Sequence, residues 1–166
     1  MTNVSKIAAA AGLSLIAMSF SAPVSAQEDS AESMFAVQSA ASGRVNAGAG
    51  AFERGEFDVA ERFGRASLER PARLSRPRRS IAYANWCAAL SMVEQHDEAI
   101  AACEEAIALR PDNWRAHLNL ASAQMRAGDT AQAESALAEA TRLAPGEPVV
   151  SRAAALISSR SPVSGQ

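Results

Sequence analysis

One segment of the sequence occurs twice between Ser80 and Glu147, and this repetition limits the possible folds. Identical residues recur 34 positions apart in the two copies: Asn85 and Asn119, Ala99 and Ala133, Ala106 and Ala140, and Pro111 and Pro145. Each copy holds an apolar helical run, a polar break, a second apolar run and a proline, so each predicts a helical hairpin. In the second copy the two runs cover residues 114–126 and 130–143. One hairpin cannot bury its own apolar face, so the repeat predicts an all-α solenoid of stacked hairpins.

The repeated positions resemble those of the tetratricopeptide repeat. The small residue of the family's first helix falls on Cys87 and Ala121. Two positions that usually carry large residues depart from the pattern, since the first holds Tyr83 and His117 and the second holds Leu90 and Gln124. These departures concern local packing more than the fold. The resemblance implies repeats at residues 80–113 and 114–147, with the family alanines and prolines at Ala99, Ala106, Pro111, Ala133, Ala140 and Pro145.

A degenerate copy at residues 41–74 brings the predicted number of hairpins to about three. Gly48 and Ala60 occupy its small positions, Gly55 lies in its turn, and Pro71 comes one residue early. The Pro/Arg-rich residues 75–79 then form a predicted insertion, because equivalent positions of the first two copies lie 39 apart and Pro71 and Pro77 interrupt a continuous helix.

The C-terminal residues predict a helix that covers the open end of the stack. This capping helix is expected over residues 148–160, and residues 161–166 are expected to be a short disordered tail. Its predicted apolar stripe consists of Val149, Val150, Ala153, Ala154 and Ile157.

Residues 1–26 have the pattern of a secretory signal peptide, with Lys6, an apolar stretch over residues 7–20, and small residues before a cleavage site after Ala26. A membrane anchor is the weaker alternative, because the apolar stretch is shorter than the roughly 20 residues that span a bilayer. The mature protein is therefore expected to be exported to a bacterial periplasm, without an integral membrane anchor. Residues 27–40 predict a polar leader and an additional N-terminal helix, beginning between Ser33 and Val37 with Met34 and Phe35 on its apolar face.

The resemblance also implies a concave groove lined by the first helix of each repeat. Asparagine occupies the same groove position in all three copies, as Asn46, Asn85 and Asn119. An amide side chain offers a donor and an acceptor, so this row can pair with the main chain of an extended peptide. The alternative is local hydrogen bonding within each helix. The neighbours expected to face the groove are Phe52, Ser91, Met92, Arg115, Leu118, Ser122, Met125 and Arg126.

A carboxylate clamp of the kind that some family members use is not expected in this groove. Its lysine positions correspond here to Val45, Ala49, Ala84, Ala88, Leu118 and Ser122.

Cys87 and Cys103 are predicted to face one another across the second hairpin. In an oxidising compartment they can form a disulfide, while the alternative is two buried thiols that act as small apolar residues. Their spacing is typical neither of a redox pair nor of a zinc site.

Seven arginines gather near the insertion and allow two interpretations. One is a docking patch for an anionic partner, and the other is a solvated loop with cations near a helix C-terminus. The residues are Arg62, Arg65, Arg70, Arg73, Arg76, Arg78 and Arg79.

The expected function is a non-enzymatic scaffold that binds a peptide segment of another envelope protein, without cofactor or metal. A formal net charge of −2 argues against nucleic-acid binding. No serine, cysteine or carboxylate stands with a plausible base and orienting partner in one repeat, which argues against an enzyme. The alternative function is a structural unit that self-associates through its N-terminal helix or its open end, and the oligomeric state stays open.

Overall fold

The computed structural model describes residues 34–40 and 42–160, apart from the side chain of Arg160. The predicted signal peptide, the leader as far as residue 33 and the predicted tail at residues 161–166 lie outside these residues. Within them the protein is helical and contains no β-strand, so the predicted all-α class is confirmed. The helices are α1 (Gly43–Glu53), α2 (Phe57–Leu68), a 3₁₀ turn (Pro71–Arg73), α3 (Arg76–Met92), α4 (His96–Leu109), α5 (Trp114–Ala127), α6 (Thr130–Leu143) and α7 (Pro148–Arg160).

The helices pair as three antiparallel hairpins that stack in chain order. Helix α1 packs on α2, α3 on α4 and α5 on α6, and the second helix of each hairpin also contacts the helix that follows it. The first helices form a continuous inner row, because α1 contacts α3, α3 contacts α5 and α5 contacts α7. This row is the concave surface of a solenoid.

The three hairpin turns repeat one backbone geometry. The main-chain N–H of Glu56 donates to the carbonyl of Ala51 at 2.9 Å, and the equivalent bonds join Gln95 to Leu90 and Asp129 to Gln124. This bond is characteristic of a helix that ends at a residue in the left-handed conformation. Gly55 and Gly128 supply that residue in two of the turns, whereas Glu94, with φ of 63°, supplies it in the second.

Small side chains at the repeated positions let the helices approach closely. Ala99, Ala106, Ala133 and Ala140 are all completely buried. Gly64 serves the same purpose between the first two hairpins, since a Cβ there would lie 2.5–2.9 Å from Trp86. At the C-terminal end, helix α7 buries Val150, Ala153 and Ile157 against the third hairpin.

The predicted N-terminal helix, expected to begin between Ser33 and Val37, is wrong for the residues that the structure describes. Met34 lies in a turn and residues 35–40 have no regular secondary structure. Helix formation would have to satisfy the amides of this segment locally, whereas the N–H groups of Ala36 and Gln38 instead donate to side chains of α5 and α3. Tertiary hydrogen bonds therefore override the local apolar pattern.

The predicted insertion at residues 75–79 is also largely helical. Between the 3₁₀ turn and α3 only residues 74 and 75 are non-helical, and Arg76 begins α3, with Pro77 in its first turn. Proline is compatible with the first turn of a helix because the N–H it lacks has no partner within the helix there. The extra residues thus lengthen α3 to 17 residues instead of forming a separate connection.

Among the helices of the described residues, none has the length and apolar character needed to cross a membrane.

Candidate functional site: an occupied peptide groove

The concave surface holds an extended segment of the same chain. Residues 34–40, called here the groove segment, cross the inner row from α5 past α3 and then lead into α1. The segment therefore crosses the hairpins in the reverse of their chain order. Its main chain hydrogen-bonds to side chains that project from the first helices.

Two asparagines each make a reciprocal pair of hydrogen bonds with one residue of the groove segment. The N–H of Ala36 donates to Oδ1 of Asn119 at 2.8 Å, and Nδ2 of Asn119 donates to the Ala36 carbonyl at 3.2 Å. The N–H of Gln38 donates to Oδ1 of Asn85 at 2.9 Å, and Nδ2 of Asn85 donates to the Gln38 carbonyl at 2.7 Å. The amides thus recognise the main chain and do not read these residues' side chains.

Two further side chains extend this row at its ends. Oδ1 of Asn46 accepts from the N–H of Ala40 at 2.7 Å, although Asn46 itself is exposed. At the other end, the hydroxyl of Ser122 donates to the Met34 carbonyl at 2.7 Å. Residues 34, 36, 38 and 40 are therefore held in alternation, which is the period of an extended chain.

The side chains of the groove segment alternate between two apolar clusters. Met34 is buried and Ala36 packs beside it in the cluster formed by α5, α6 and α7. Phe35 is buried and Val37 packs beside it in the cluster formed by α1, α2 and α3. Phe35 also meets Phe52 edge to face, with ring centroids 6.0 Å apart.

The apolar residues predicted to face the groove lie in or against the two clusters that bury Met34 and Phe35. Leu118 and Met125 belong to the cluster that buries Met34, and Met92 packs against the one that buries Phe35. Ser91 is completely buried, and its hydroxyl has no hydrogen-bond partner among the described residues.

The two arginines predicted to face the groove make other contacts. Nε of Arg126 donates to the Ser91 carbonyl at 3.0 Å and so joins α5 to α3. The guanidinium of Arg115 stacks over Trp114 with 4.1 Å to the ring centroid, and partial burial lowers its pKa. Neither arginine has a hydrogen bond or ion pair to the groove segment among those described.

The groove floor is uncharged at the positions where a carboxylate clamp would place lysines. Val45, Ala49, Ala84, Ala88, Leu118 and Ser122 occupy these positions, and all six are buried. The groove segment, from Met34 to Ala40, carries no charged side chain either. Its contacts with the groove are therefore apolar and hydrogen-bonded.

The sulfur atoms of Cys87 and Cys103 are joined in a disulfide that links α3 to α4, and both residues are completely buried. The bond lies inside the second hairpin and braces the helix that carries Asn85.

The seven arginines near residue 75 do not form a single free patch. Arg65 pairs with Glu61 at 2.7 Å and lies over Trp86, while Arg62 and Arg76 donate to main-chain carbonyls. Arg70 and Arg73 line a cavity of about 350 Å³ that Glu69 also lines. Arg76, Arg78 and Arg79 lie in the first turn of α3 instead of at a helix C-terminus. Anionic binding at these residues stays a prediction.

An open depression lies between α4, α5 and α6. His117, Leu120 and Gln124 line this space of about 540 Å³, together with residues of α4 and α6. The Oε1 atom of Gln124 is buried there without a hydrogen-bond partner. Within the described residues, no three His, Cys, Asp or Glu side chains are grouped closely enough to hold a metal ion.

The occupant of the groove is the feature that sequence reasoning missed. The asparagine row indicates a peptide main chain as ligand, but the sequence pattern predicts a leader and an additional helix over residues 27–40 of the same chain. The available signal was the absence of charge over these seven residues, directly before a repeat whose groove also lacks charge.

Comparison with known proteins identifies the fold. The family model of the tetratricopeptide repeat matches residues 92–157. The Arabidopsis OM64 TPR domain superposes with a TM-score of 0.59 at 17% identity, covering 80% of this chain and 97% of that domain. No curated protein sequence matches this chain.

Two further similar structures are complexes. The second TPR domain of human RPAP3, in complex with the HSP70 peptide SGPTIEEVD, has a TM-score of 0.58 at 20% identity and covers 69% of this chain and 92% of its own. The TPR2B domain of yeast Sti1, in a complex with pHsp70, has a TM-score of 0.55 at 24% identity and covers 68% of this chain and 94% of its own. The chain therefore has the fold of a tetratricopeptide helical solenoid.

Proposed function

We propose that this chain is an exported, non-enzymatic interaction module that binds an extended segment of another envelope protein in its concave groove. The observation that carries the proposal is the reciprocal pairing of Asn85 and Asn119 with the main chain of the groove segment. A groove that pairs with a main chain in this way accepts an extended peptide, and side-chain pockets then select among sequences.

The structural neighbours support peptide binding as the use of this fold. Tetratricopeptide domains of human RPAP3 and yeast Sti1 were solved in complexes with chaperone-derived partners. The RPAP3 ligand SGPTIEEVD contains three acidic residues. The groove described here has no cation at the clamp positions, so we expect it to bind uncharged apolar segments instead.

Two observations support an exported location. Residues 1–26 carry the pattern of a cleavable signal peptide. The Cys87–Cys103 disulfide suits an oxidising compartment such as a bacterial periplasm. Fractionation of cells that express the full chain, with mass determination of the mature N-terminus, tests this part: a chain that retains residues 1–26 in the cytoplasm contradicts it.

The binding test must account for the groove segment, because it uses the same asparagines as a partner would. In a chain carrying Phe35→Ser, the segment loses its buried aromatic anchor and the groove becomes accessible. In that background, adding Asn85→Ala should reduce capture of envelope proteins, identified by mass spectrometry after cross-linking. Adding Asn113→Ala is the matched control, since this buried asparagine bonds to Ser80 and not to the segment. Equal capture by the two chains would contradict binding in the groove.

Self-association is a second candidate function. The part of the chain that would join two copies is the extended groove segment, not the helix that the sequence predicts. The same residues could occupy the groove of a second copy and bury Met34 and Phe35 there. Light scattering of the mature chain tests this candidate. A dimer that dissociates in the Phe35→Ser chain would support exchange, and a monomer at all concentrations would exclude it.

A further inference from the structure

The groove segment is held by contacts that another peptide could reproduce. Its main chain bonds to the side chains of Asn46, Asn85, Asn119 and Ser122. None of these four side chains belongs to the segment, and all of them pair with N–H or C=O groups that any residue except proline can offer. These hydrogen bonds therefore do not distinguish one peptide sequence from another, and specificity must come from the side chains of the bound segment.

Burial along the segment is uneven, so its two ends differ in how they are held. Only 5% of the surface of Met34 and 7% of that of Phe35 is exposed, whereas residues 36–38 are half-buried and Ser39 is exposed. The apolar anchors thus lie at the end farther from α1. The other end continues into α1 at Gly43 after a short connection.

The pockets specify a pattern of side chains. The side chain at the first position, Met34, lies in the cluster that contains Leu118 and Met125. The side chain at the second position, Phe35, lies in the cluster that contains Phe52. The third and fourth positions hold Ala36 and Val37, which pack less deeply against the same two clusters. The pattern is therefore two large apolar residues, one small residue and one medium apolar residue, all uncharged.

We propose that residues 34–40 are a tethered competitor for the groove, and that the partner is an uncharged extended segment with this same pattern of side chains. This inference rests on the proposed function of peptide binding. A tethered segment acts at an effective concentration in the millimolar range, so a partner must displace it and binds with an apparent affinity reduced by the fraction of open grooves. The segment thereby sets a threshold that weakly matching peptides do not pass.

A synthetic peptide with the sequence of residues 33–41, capped at both ends and labelled with a fluorophore, is the probe. Its binding is measured by fluorescence anisotropy to the wild-type chain and to a chain carrying Met34→Ser and Phe35→Ser. The substituted chain should bind the peptide at least tenfold more tightly, because its own segment no longer competes. The matched control is Phe63→Ser, which removes an exposed phenylalanine on α2, outside the cluster that buries Phe35, and should bind like wild type.

Two control peptides test the proposed partner chemistry. One has serine in place of the two apolar anchors, and the other is the acidic peptide SGPTIEEVD. Neither should bind the substituted chain within tenfold of the matching peptide. If the acidic peptide binds as tightly as the matching one, the proposed partner chemistry is wrong.

The remaining outcomes separate this inference from the proposed function. Equal peptide affinity for the wild-type and substituted chains would overturn the competitor while leaving the groove as a peptide site. Absence of binding to both chains would overturn both proposals. A second measurement needs no substitution: saturating the isotope-labelled wild-type chain with unlabelled peptide should speed hydrogen exchange at the amides of Ala36 and Gln38. Unchanged exchange under saturation would also overturn the competitor.

Discussion

Replacing Asn85, which removes its hydrogen bonds, is the most direct way to measure how firmly the groove segment is held. Asn85 is 8% exposed, and its amide makes two described hydrogen bonds, both to Gln38. Asn119, by contrast, also donates to the Ala84 carbonyl within the helix stack. Asn85→Ala should therefore loosen the segment with little direct effect on the packing of α3.

The expected magnitude follows from the two bonds that are lost. Each contributes about 1 kcal/mol net, so the closed position of the segment loses about 2 kcal/mol. Because 1.4 kcal/mol corresponds to a tenfold change, the open population should rise roughly 30-fold. Gln38 is only half-buried, so water can reach its freed groups and the effect could fall to about 1 kcal/mol, or roughly fivefold.

Amide hydrogen exchange of the purified chain, followed by NMR, measures this opening residue by residue. The Gln38 amide should exchange roughly 5- to 30-fold faster in the Asn85→Ala chain. The Asn113→Ala chain is the control, because its asparagine is equally buried but bonds to Ser80. It should lower global stability without accelerating Gln38 selectively. Unchanged exchange at Gln38, with the helical content intact, would refute the conclusion that these amides hold the segment.

Three further substitutions test the packing of the stack, each measured by urea denaturation with the disulfide intact. Gly64→Ala should destabilise the protein by about 1–3 kcal/mol, because its Cβ would overlap Trp86. Gln124→Leu should stabilise it by about 1 kcal/mol, since it removes an unpaired buried oxygen at the position that Leu90 occupies in the preceding repeat. Glu94→Gly should stabilise it by about 0.5–1 kcal/mol, because relief of the left-handed strain exceeds the entropy cost of glycine. A change of opposite sign would contradict the packing or backbone strain assigned to that residue.

The hairpins could be predicted from the sequence because their determinants are local and repeated. The 34-residue spacing fixed the small residues that let helices approach, and Ala99, Ala106, Ala133 and Ala140 are all fully buried. The start of α3 was misplaced because two prolines suggested an interruption, whereas Pro77 lies in the one turn of a helix that tolerates proline.

The groove segment could not be placed from local pattern, because its partners are distant in sequence. Met34, Phe35 and Val37 have a spacing that fits one face of a helix as well as two sides of an extended chain. The contacts that decide between them are to Asn85, 47 residues beyond Gln38, and to Asn119, 83 residues beyond Ala36. Pairing of this range becomes visible only once the three hairpins are stacked.

A tethered competitor changes what mutation of the asparagines should do to affinity. In the wild-type chain, the partner and the groove segment use the same amide of Asn85, so its loss weakens both by the same factor. The apparent dissociation constant for the matching peptide should therefore change less than about fourfold when Asn85→Ala is made in the wild-type chain. In the chain with Met34→Ser and Phe35→Ser, the same substitution should weaken the peptide roughly 5- to 30-fold, because no competitor remains to cancel the loss.

The different effects of Asn85→Ala in these two chains show which contacts determine the choice of peptide. Contacts that the partner and the groove segment both make contribute equally to the two binding free energies and cancel. The choice among partners therefore depends on how well their side chains pack in the clusters that hold Met34 and Phe35. A partner that fills these pockets better than the chain's own residues gains affinity, and one that only supplies an extended main chain does not. If Asn85→Ala weakens the peptide equally in both backgrounds, the segment does not compete for these amides, and the groove selects its ligands without reference to its own chain.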